Sequence, residues 1–588
     1  MSAPVEFSVW APLPERVRLQ VDGAVHDMHR DDGGWWRAEV EAGPEADYGY
    51  LLDDNATPRP DPRSRRQPEG VHGLSRRYEP ESYAWGDGAW TGRPLAGGVV
   101  YELHVGTFTP EGTFAAAAGR LDHLVELGVD LVELLPVNAV NGTRNWGYDG
   151  VDWYAVHEPY GGPDGLKAFV DACHRRGLGV LLDVVYNHLG PSGAYLPRFG
   201  PFLKPGRSTW GELVNLDGPG SGPVRRHILD SALMWLHEFH VDGLRLDAVH
   251  ALVDLGATHL LEQLAIEVDA LSAHLRRPLT LIAESDLNDP RLIRSRDAGG
   301  YGLTAQWDDD IHHALHALLT GEQQGYYADF GSLATLAKAL TGAFVHDGSY
   351  SSFRGRLHGR RVNRDDTPGY RFVAFLQDHD QVGNRALGDR LSGEPDALPP
   401  ELLKVGAALL LTAPFTPMLW MGEEWGASTP WQFFTSHPEP ELAASVAAGR
   451  REEFAGHGWA TDDVPDPQDP ATFERSKLDW SELDDDKHAD VLDFYRRLLA
   501  LRRSRPELSD PRLDLVEVGY DEGARWLVVY RGALRVAVNL AAERQEVPLD
   551  GTPMSVLLAS RPGFVYRDGV IELEPASAAV VELAVRSS

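Results

Sequence analysis

The feature that most constrains the fold is an alternation of apolar strands with helix-length segments, running from about residue 97 to residue 510. Residues 115–128 and 164–177, for example, have the amphipathic spacing of helices. Strands rich in β-branched residues that alternate with helices are typical of parallel sheets buried on both faces. The candidate strands are VVYELHVGTF (99–108), VDLVELLPV (129–137), GVLLDVVY (179–186), VDGLRLDAV (241–249), LTLIAES (279–285), LTAQWDD (303–309), RFVAFLQD (371–378) and PMLWMGEE (417–424).

Eight βα units of this kind predict an α/β fold, a (β/α)8 TIM barrel with loop insertions that spans residues 91–510. The alternative is an open, doubly wound sheet. That alternative is weakened because no GxGxxG follows the first strand and the chain has no Walker loop.

Both flanks of the barrel region have the pattern of β structure. Residues 1–90 contain short, partly alternating segments broken by Gly, Pro and Asp, which predict an N-terminal β-sandwich. Residues 511–588 return to strands and predict a C-terminal antiparallel β domain, after a helix at 488–508 that ends at Pro506. The loop-rich residues 58–75 are either a linker or a packed loop lying against the next domain.

Charge and cysteine content narrow the function classes. The formal net charge of −33 at pH 7 opposes binding to nucleic acid or to an anionic membrane surface. The single cysteine, Cys173, excludes an intrachain disulfide and a multi-cysteine metal site. No long uncharged apolar run and no basic segment followed by an apolar one is present. We therefore expect a soluble, cytoplasmic protein.

Acidic residues and histidines collect where four of the candidate strands end, in DVVYNH (183–188), GLRLDAVH (243–250), IAESD (282–286) and LQDHDQVGN (376–384). The catalytic sites of such barrels lie at these strand ends. A carboxylate in an apolar strand is costly unless it is paired, and an ion pair that only stiffens the barrel would also explain one of them. Four strands together favour an active site.

Two of these acids are suited to opposite roles. Arg245 and Asp247 are two residues apart on one strand and so project to the same face, where the arginine favours the ionised form that a nucleophile needs. Glu284 follows Ile282 and Ala283, whose apolar surroundings suit a general acid. Neighbouring strands are about 4.8 Å apart, close to the ~5–5.5 Å carboxyl separation of retaining glycosidases.

These four segments, in this order, resemble the signature regions of the α-amylase family of glycoside hydrolases. The resemblance covers the whole barrel, and it makes the N-terminal sandwich similar to the glucan-binding domains of that family. It implies that Asp247 is the nucleophile, Glu284 the acid/base and Asp380 a third acid that grips sugar hydroxyls. It also implies substrate-binding roles for Asp183, His188, Arg245 and His379.

Five further segments indicate, less specifically, which branch of the α-amylase family the chain resembles. NWGYDG (145–150), ESDLNDP (284–290), QWDDDIHHALH (306–316), FLQDHDQVGNRALGDR (375–390) and PWQFFTSH (430–437) resemble maltooligosyltrehalose trehalohydrolases, which release trehalose from a trehalose-terminated glucan. This resemblance implies a possible functional pairing with a maltooligosyltrehalose synthase. The alternatives are a glucan branching enzyme, which transfers chains from α-1,4 to α-1,6 linkage, and a non-catalytic glucan-binding barrel.

The leaving-group pocket is the least determined part of the site. Asp308, Asp309 and Asp310 after the sixth strand, and Glu424 with Trp425 after the eighth, are candidates to form it. The Asp run could equally cap the helix that follows. We expect Tyr148 to stack on the sugar in the cleaved subsite with Trp146 near it, although either ring could belong to the core.

We predict no cofactor and no required metal. His312, His313 and His316 lack an HExxH frame, so a packed or solvated helix face is the better interpretation. Asn187 matches a position that binds calcium in many amylases, but no partner cluster accompanies it.

Overall fold

The computed structural model describes residues 3–455, 464–567 and 569–584. Its N-terminal strands are β1 (Ala3–Trp10), β2 (Val17–Val21), β3 (Ala24–Asp27), β4 (His29–Arg30), β5 (Trp35–Ala42), β6 (Asp47–Leu52) and β7 (Ser75–Arg76). One sheet has the order β1-β5-β4 and the other β3-β2-β6-β7. Phe7, Leu19 and Tyr50 are buried in one cluster between them, so the two sheets form the predicted sandwich.

The central region contains the predicted barrel. Its strands are β8 (Val100–Leu103), β9 (Leu131–Leu134), β10 (Asn138–Ala139), β11 (Asp152–Val156), β12 (Gly179–Val184), β13 (Leu203–Ser208), β14 (Gly211–Val214), β15 (Gly243–Leu246), β16 (Thr280–Ala283), β17 (Ala305–Trp307), β18 (Tyr350–Ser351), β19 (Arg356–Leu357), β20 (Phe372–Phe375) and β21 (Thr416–Trp420). Strands β8, β9, β12, β15, β16, β17, β20 and β21 close into a barrel in chain order, with parallel pairing throughout. Seven of these strands lie within a predicted segment and β21 begins one residue before its segment, so the fold prediction is confirmed. The pairs β10–β11, β13–β14 and β18–β19 are small antiparallel ribbons in the connecting loops.

Helices connect and surround the barrel strands. They are α1 (Val105–Phe108), α2 (Phe114–Ala118), α3 (Leu121–Leu127), α4 (Gly162–Arg175), α5 (Leu196–Phe199), α6 (Ser221–Glu238), α7 (Leu260–Leu275), α8 (Asp309–Thr320), α9 (Leu333–Gly342), α10 (His379–Gly383), α11 (Pro400–Leu411), α12 (Pro440–Ala455), α13 (Pro470–Arg475), α14 (Asp486–Ser504) and α15 (Pro506–Ser509). The helix predicted over 115–128 is divided into α2 and α3 at Gly119 and Arg120. Cys173 is fully buried on α4, as the amphipathic pattern predicts. Among the described residues, no helix is long and apolar enough to cross a membrane.

The barrel lumen changes from apolar to polar along its axis. Val100, Leu131, Leu181, Ile282 and Met418 belong to one buried cluster inside the barrel. Alternate residues of a strand share a face, so the residues two positions further along also point inward. Among those residues are Glu102, Glu133 and Asp183, and Glu284, which directly follows β16. Arg245 of β15 is paired with Asp183 in the β12–β15 ladder and lies at the same level.

Residues 58–75 form a packed loop rather than a linker. Arg65 makes a double ion pair with Glu238 of α6, at 2.7 and 3.1 Å. Arg63 pairs with Asp230 of the same helix at 2.9 Å. These contacts fix the sandwich against the side of the barrel.

The C-terminal strands follow the last helices. They are β22 (Glu517–Asp521), β23 (Trp526–Arg531), β24 (Leu534–Asn539), β25 (Gln545–Pro548), β26 (Pro553–Ala559), β27 (Val565–Arg567), β28 (Val570–Leu573) and β29 (Ser577–Leu583). They form antiparallel sheets of order β22-β23-β24-β29-β26 and β25-β28-β27, as predicted for this region. The helix predicted over 488–508 ends at Ser504, and Pro506 begins α15 instead of closing α14. The boundaries predicted near residues 90 and 510 fall outside the strands and the α-helices, and the division into three domains stays a prediction.

Candidate active site

One arginine organises the acids at the carboxyl end of the barrel. Arg245 of β15 is fully buried, and one of its terminal nitrogens donates to Asp183 and to Asp247, each at 2.8 Å. Its other terminal nitrogen lies 3.7 Å from Glu284. The ring of Trp307 lies beneath the guanidinium, 4.4 Å from its central carbon. One cation therefore contacts three carboxyl groups from three neighbouring strands.

Asp247 and Glu284 occupy matching positions at the ends of adjacent strands. In the β15–β16 ladder Leu246 pairs with Ala283, and each of these residues is followed directly by one of the two acids. The side chains of Asp247 and Glu284 are 12% and 15% exposed, so both are reachable from the cleft. The two acids can therefore face one bound substrate from the same rim.

The carboxylate of Asp247 is held from two sides. Arg245 donates to Oδ1 at 2.8 Å, and the side-chain amide of Asn187 donates to Oδ2 at 2.6 Å. The same amide also donates to the backbone oxygen of Asp247 at 2.9 Å. Donors on both oxygens stabilise the ionised form and fix the plane of the carboxylate. The side-chain amide of Asn187 therefore orients Asp247.

Glu284 has surroundings that favour a protonated acid. Burial raises the pKa of Glu284 well above its usual value; the charge of Arg245 opposes this rise, and the nearby charges of Asp247 and Asp380 add to it. The backbone nitrogen of Ala248 donates to its carboxyl group. Ala248 has φ of 40°, a left-handed conformation that is unfavourable for alanine and that aims this donor at Glu284.

A chain of hydrogen bonds connects the first and seventh strands to the acids. Glu102 of β8 lies 2.5 Å from Nδ1 of His379, and Nε2 of that ring lies 2.7 Å from the hydroxyl of Tyr148. The Tyr148 hydroxyl donates to Asp183 at 2.7 Å, and Asp183 accepts from Arg245. Burial raises the pKa of Asp183 to about 6. The chain thus runs without interruption from Glu102 to Asp247.

The remaining sugar-binding candidates lie on the same rim. His188 contacts Asn187 through Nδ1 and the backbone oxygen of Tyr148 through Nε2, the latter at 2.8 Å. The half-exposed ring of Trp210, at the tip of the β13–β14 ribbon, stacks over His188 with its centroid 6.4 Å away. Asp380 in α10 is 45% exposed and accepts from Asn384 at 3.0 Å, so its carboxylate faces the open cleft.

The three aspartates at the start of α8 do different things. Asp308 caps the helix by accepting from the backbone nitrogen of Ile311 at 3.4 Å. Asp310 accepts 2.8 Å hydrogen bonds from the side chain of Asn288 and the backbone of residues 345–346, so it anchors a loop. Asp309 lies near Asp286 and Asp380, and burial together with these charges raises its pKa to about 7. Of the three, Asp309 is therefore the one that belongs to the acidic cluster.

Among the described contacts, Trp146 and Glu424 make no hydrogen bond to the acids of the cluster. The Trp146 ring does meet the ring of His379 edge to face, with the centroids 6.0 Å apart. The indole of Trp146 stacks on Trp431 at 5.3 Å and donates to a backbone oxygen, which is the core role considered for it. Glu424 is fully buried and accepts from the hydroxyl of Tyr101 at 3.1 Å. Tyr101 precedes Glu102 on β8 and so faces the helices, outside the lumen.

The histidines of α8 are engaged by protein groups. Nδ1 of His312 lies 2.9 Å from the backbone oxygen of Leu376, and Nε2 of His316 lies 2.8 Å from Glu322. Burial lowers the pKa of both imidazoles. Within the part of the chain that the structure describes, no group of three or more His, Cys, Asp or Glu side chains could hold a metal ion.

Glu102 and Trp210 are site residues that the sequence reasoning missed. Glu102 lies in the first candidate strand, within YELH, and an acid inside that apolar run carried the same signal as the acids of the four strands that were singled out. Trp210 was missed for a different reason. It lies at the tip of a surface ribbon, and the sequence of such a ribbon does not indicate which part of the protein the ribbon will pack against.

Comparison with known proteins agrees with this geometry. Residues 79–198 match the alpha-amylase catalytic domain family, and residues 511–581 match a domain family of unknown function, DUF3459. A malto-oligosyltrehalose trehalohydrolase of Mycobacterium tuberculosis is 59% identical over 93% of this chain and 94% of its own. One from a Rhizobium species is 57% identical over 98% of this chain and 97% of its own. The crystal structure of a putative alpha amylase from Salmonella typhimurium superimposes with a TM-score of 0.90 at 39% identity, covering 99% of this chain and 98% of that one.

Proposed function

The chain belongs to the malto-oligosyltrehalose trehalohydrolases of the α-amylase family, and from that membership we propose how its residues hydrolyse the bond. It is a glycoside hydrolase that cleaves the α-1,4 bond next to the terminal trehalose of malto-oligosyltrehalose and releases trehalose. The proposed mechanism is retaining, with Asp247 and Glu284 flanking the scissile bond.

In the first step Glu284 donates its proton to the glycosidic oxygen while Asp247 attacks the anomeric carbon. The bond between that carbon and the trehalose oxygen breaks, trehalose leaves with the proton, and a glycosyl ester forms on Asp247. The raised pKa of Glu284 supports its part as the acid, and the donors on both oxygens of Asp247 support its part as the ionised nucleophile.

In the second step Glu284, now ionised, takes a proton from water. The water oxygen bonds to the anomeric carbon, the ester bond to Asp247 breaks, and the malto-oligosaccharide is released. Both acids return to their starting states, so no other reactant is needed.

The remaining residues bind and orient the sugar. Asp380, His379 and His188 are proposed to bond the hydroxyls of the ring that flattens, and Tyr148, stacked on His379, to form its platform. Asp183 and Arg245 hold these groups and the nucleophile in place. Asp309 is the best-placed of the α8 aspartates to bond the trehalose side, with Asp308 capping the helix behind it.

The observation that carries this proposal is that the guanidinium of Arg245, on β15, contacts the carboxyl groups of both Asp247 and Glu284. The test is chromatography of the products from maltotriosyltrehalose. We expect trehalose and maltotriose in equal amounts from the natural protein, and no turnover but retained sugar binding from Asp247→Asn.

Two other results would contradict the proposal. New α-1,6 branches on amylose would make the protein a branching enzyme, and glucan binding without any product would make the barrel non-catalytic. We further propose that the protein works in the cytoplasm after a maltooligosyltrehalose synthase, because its substrate requires an enzyme that creates the terminal trehalose.

A further inference from the structure

Glu102 of β8 contacts the sugar-binding candidates, but the hydrolysis steps do not use it. It is 1% exposed, its Oε2 accepts from the backbone nitrogen of His379 at 3.1 Å, and its Oε1 lies 2.5 Å from Nδ1 of the His379 ring. A ring nitrogen of histidine donates or accepts, depending on the tautomer. The hydrogen between Oε1 and Nδ1 therefore belongs either to the carboxyl group or to the ring, and the contacts of Nε2, on the far side of the ring, bear on which.

The hydroxyl of Tyr148 decides where the hydrogen on that far side lies. It is 2.7 Å from Oδ2 of Asp183 and 2.7 Å from Nε2 of His379, and a phenol has one hydrogen for the two contacts. Burial raises the pKa of Asp183 to about 6, so at neutral pH this acid is ionised and can only accept. The hydroxyl hydrogen therefore goes to Asp183, and the hydrogen between Tyr148 and His379 lies on Nε2.

The protonation of Glu102 agrees with this placement. Burial raises the pKa of Glu102 well above its usual value. The charge of Arg245 opposes this rise in pKa, and the charges of Asp183 and Asp380 add to it. A protonated Glu102 can donate to Nδ1, and a neutral ring that accepts at Nδ1 has its own hydrogen on Nε2. Each hydrogen in the chain from Glu102 to Asp183 then has a donor and an acceptor.

We propose that Glu102 is a positioning residue that donates its acid proton to Nδ1 of His379 and so fixes the ring in the tautomer with hydrogen on Nε2. That N–H donates to Tyr148, whose own hydrogen is left for Asp183, and it lies 3.9 Å from Oδ1 of Asp380 at the open cleft. A sugar hydroxyl that reaches His379 therefore meets a donor. Glu102 acts on the sugar only through these neighbours, and the inference rests on the proposed function where it places His379 and Tyr148 at the sugar.

Joint neutron and X-ray diffraction, on crystals grown near neutral pH and soaked in heavy water, observes these hydrogens directly. We expect deuterium on the carboxyl group of Glu102 and on Nε2 of His379, with none on Nδ1. The deuterium of the Tyr148 hydroxyl should point to Asp183. Deuterium on Nδ1, with or without a second one on Nε2, would overturn the proposal, because Glu102 would then accept from the ring.

Steady-state kinetics of Glu102→Met on maltotriosyltrehalose tests whether this proton matters for the reaction. Met keeps the length of the side chain but cannot donate to Nδ1, so the ring of His379 is no longer confined to one tautomer. We expect kcat/KM to fall roughly 10- to 100-fold. The loss should lie mainly in kcat, because His379 is proposed to bond the sugar ring as it flattens.

Glu102→Gln is the conservative variant that separates donation from charge. Its amide nitrogen can donate to Nδ1 of His379 while its amide oxygen accepts from the backbone nitrogen of the same residue. It should therefore recover most of the kcat/KM that Glu102→Met loses. If Glu102→Gln is no more active than Glu102→Met, Glu102 does not act by donating, and the proposal is wrong.

Glu133→Met is the matched control for packing. Glu133 of β9 pairs directly with Glu102 in the β8–β9 ladder and is equally buried, but its carboxyl oxygens have no hydrogen-bond partner among the described protein atoms. This control should keep kcat/KM close to that of the natural protein. An equal loss in Glu102→Met and Glu133→Met would assign the effect to packing and overturn the proposal. A failure of the proposed function would appear separately, in the products of the natural protein, and would leave the deuterium positions unchanged.

Discussion

The contact that most directly tests the geometry of the nucleophile is the amide of Asn187. It donates to Oδ2 of Asp247 at 2.6 Å and to its backbone oxygen at 2.9 Å. Replacing Asn187 with Ala leaves Oδ2 without a donor, while Oδ1 keeps its bond to Arg245. The carboxylate then loses one charged hydrogen bond and the restraint on its plane.

The size of the effect follows from the loss of that bond. A hydrogen bond to a charged group contributes about 1.5–3 kcal/mol, and about 1.4 kcal/mol corresponds to a factor of ten in rate. We expect Asn187→Ala to lower kcat/KM for maltotriosyltrehalose by roughly 10- to 100-fold, mainly through kcat because the attacking group is misplaced.

Steady-state kinetics with trehalose release as the readout measures this effect. Asn539→Ala is the matched control, because Asn539 is equally buried and donates to three backbone oxygens in the C-terminal sheet, far along the chain from the acids. The control should lower the free energy of unfolding without changing kcat. A folded Asn187→Ala protein with unchanged kcat/KM would refute the assignment of Asn187 as the second restraint on Asp247.

Three further predictions follow from the same structure. Glu284→Gln should lower kcat by about 10²- to 10⁴-fold, because the proton transfer is lost, while sugar binding measured by calorimetry stays largely unchanged. Retained turnover would mean that another residue is the general acid. Burial raises the pKa of Asp183 to about 6, so protonation of Asp183 weakens its bonds to Tyr148 and Arg245 as the pH falls through that value. The value of kcat/KM should therefore fall on this acid limb. Asp183→Asn should be poorly active at every pH and should lack that limb. Leu181→Ala, at a fully buried position in the lumen, should reduce the free energy of unfolding by about 2–5 kcal/mol in a denaturant titration, whereas Leu255→Ala, at a side chain 87% exposed, should change it by less than about 0.5 kcal/mol.

The sequence predicts the barrel and its acid-bearing strands because both are recorded in short, periodic patterns. In a strand, every second side chain points to the same face, so an acid two residues after an inward-facing apolar residue also points inward, as Asp183 does after Leu181. The order of the strands then places the acids of neighbouring strands together at one rim. For this reason the cluster of Asp183, Arg245, Asp247 and Glu284 could be anticipated without coordinates.

The same reasoning fails once the strand has ended. Glu424 lies in a short 3-10 helix four residues beyond β21, where the two-residue period no longer applies, and the backbone turns it toward Tyr101 and the helices. Asn187 likewise follows β12 in a loop, so its contact with Asp247 depends on a turn that no periodicity specifies. The separate roles of Asp308, Asp309 and Asp310 depend on the start of α8 and on the distant residues 345–346.

The ionisation states are also beyond a reading of the residues alone. Glu102 and Glu133 are both acids in apolar strands, and the sequence treats them alike. The nitrogen atoms of His379 distinguish them, because they reach Glu102, and His379 begins α10, 277 residues further along the chain. A long-range contact of this kind decides which of the two acids has a hydrogen-bond partner.

The measurement that tests the central claim most directly is proton NMR of the maltotriose released from maltotriosyltrehalose, observed before mutarotation. Attack by Asp247 followed by attack of water inverts the anomeric carbon twice, so the new reducing end of maltotriose should appear as the α-anomer. Appearance of the β-anomer would mean a single displacement by water, and it would contradict the role of Asp247 as a covalent nucleophile beside Glu284.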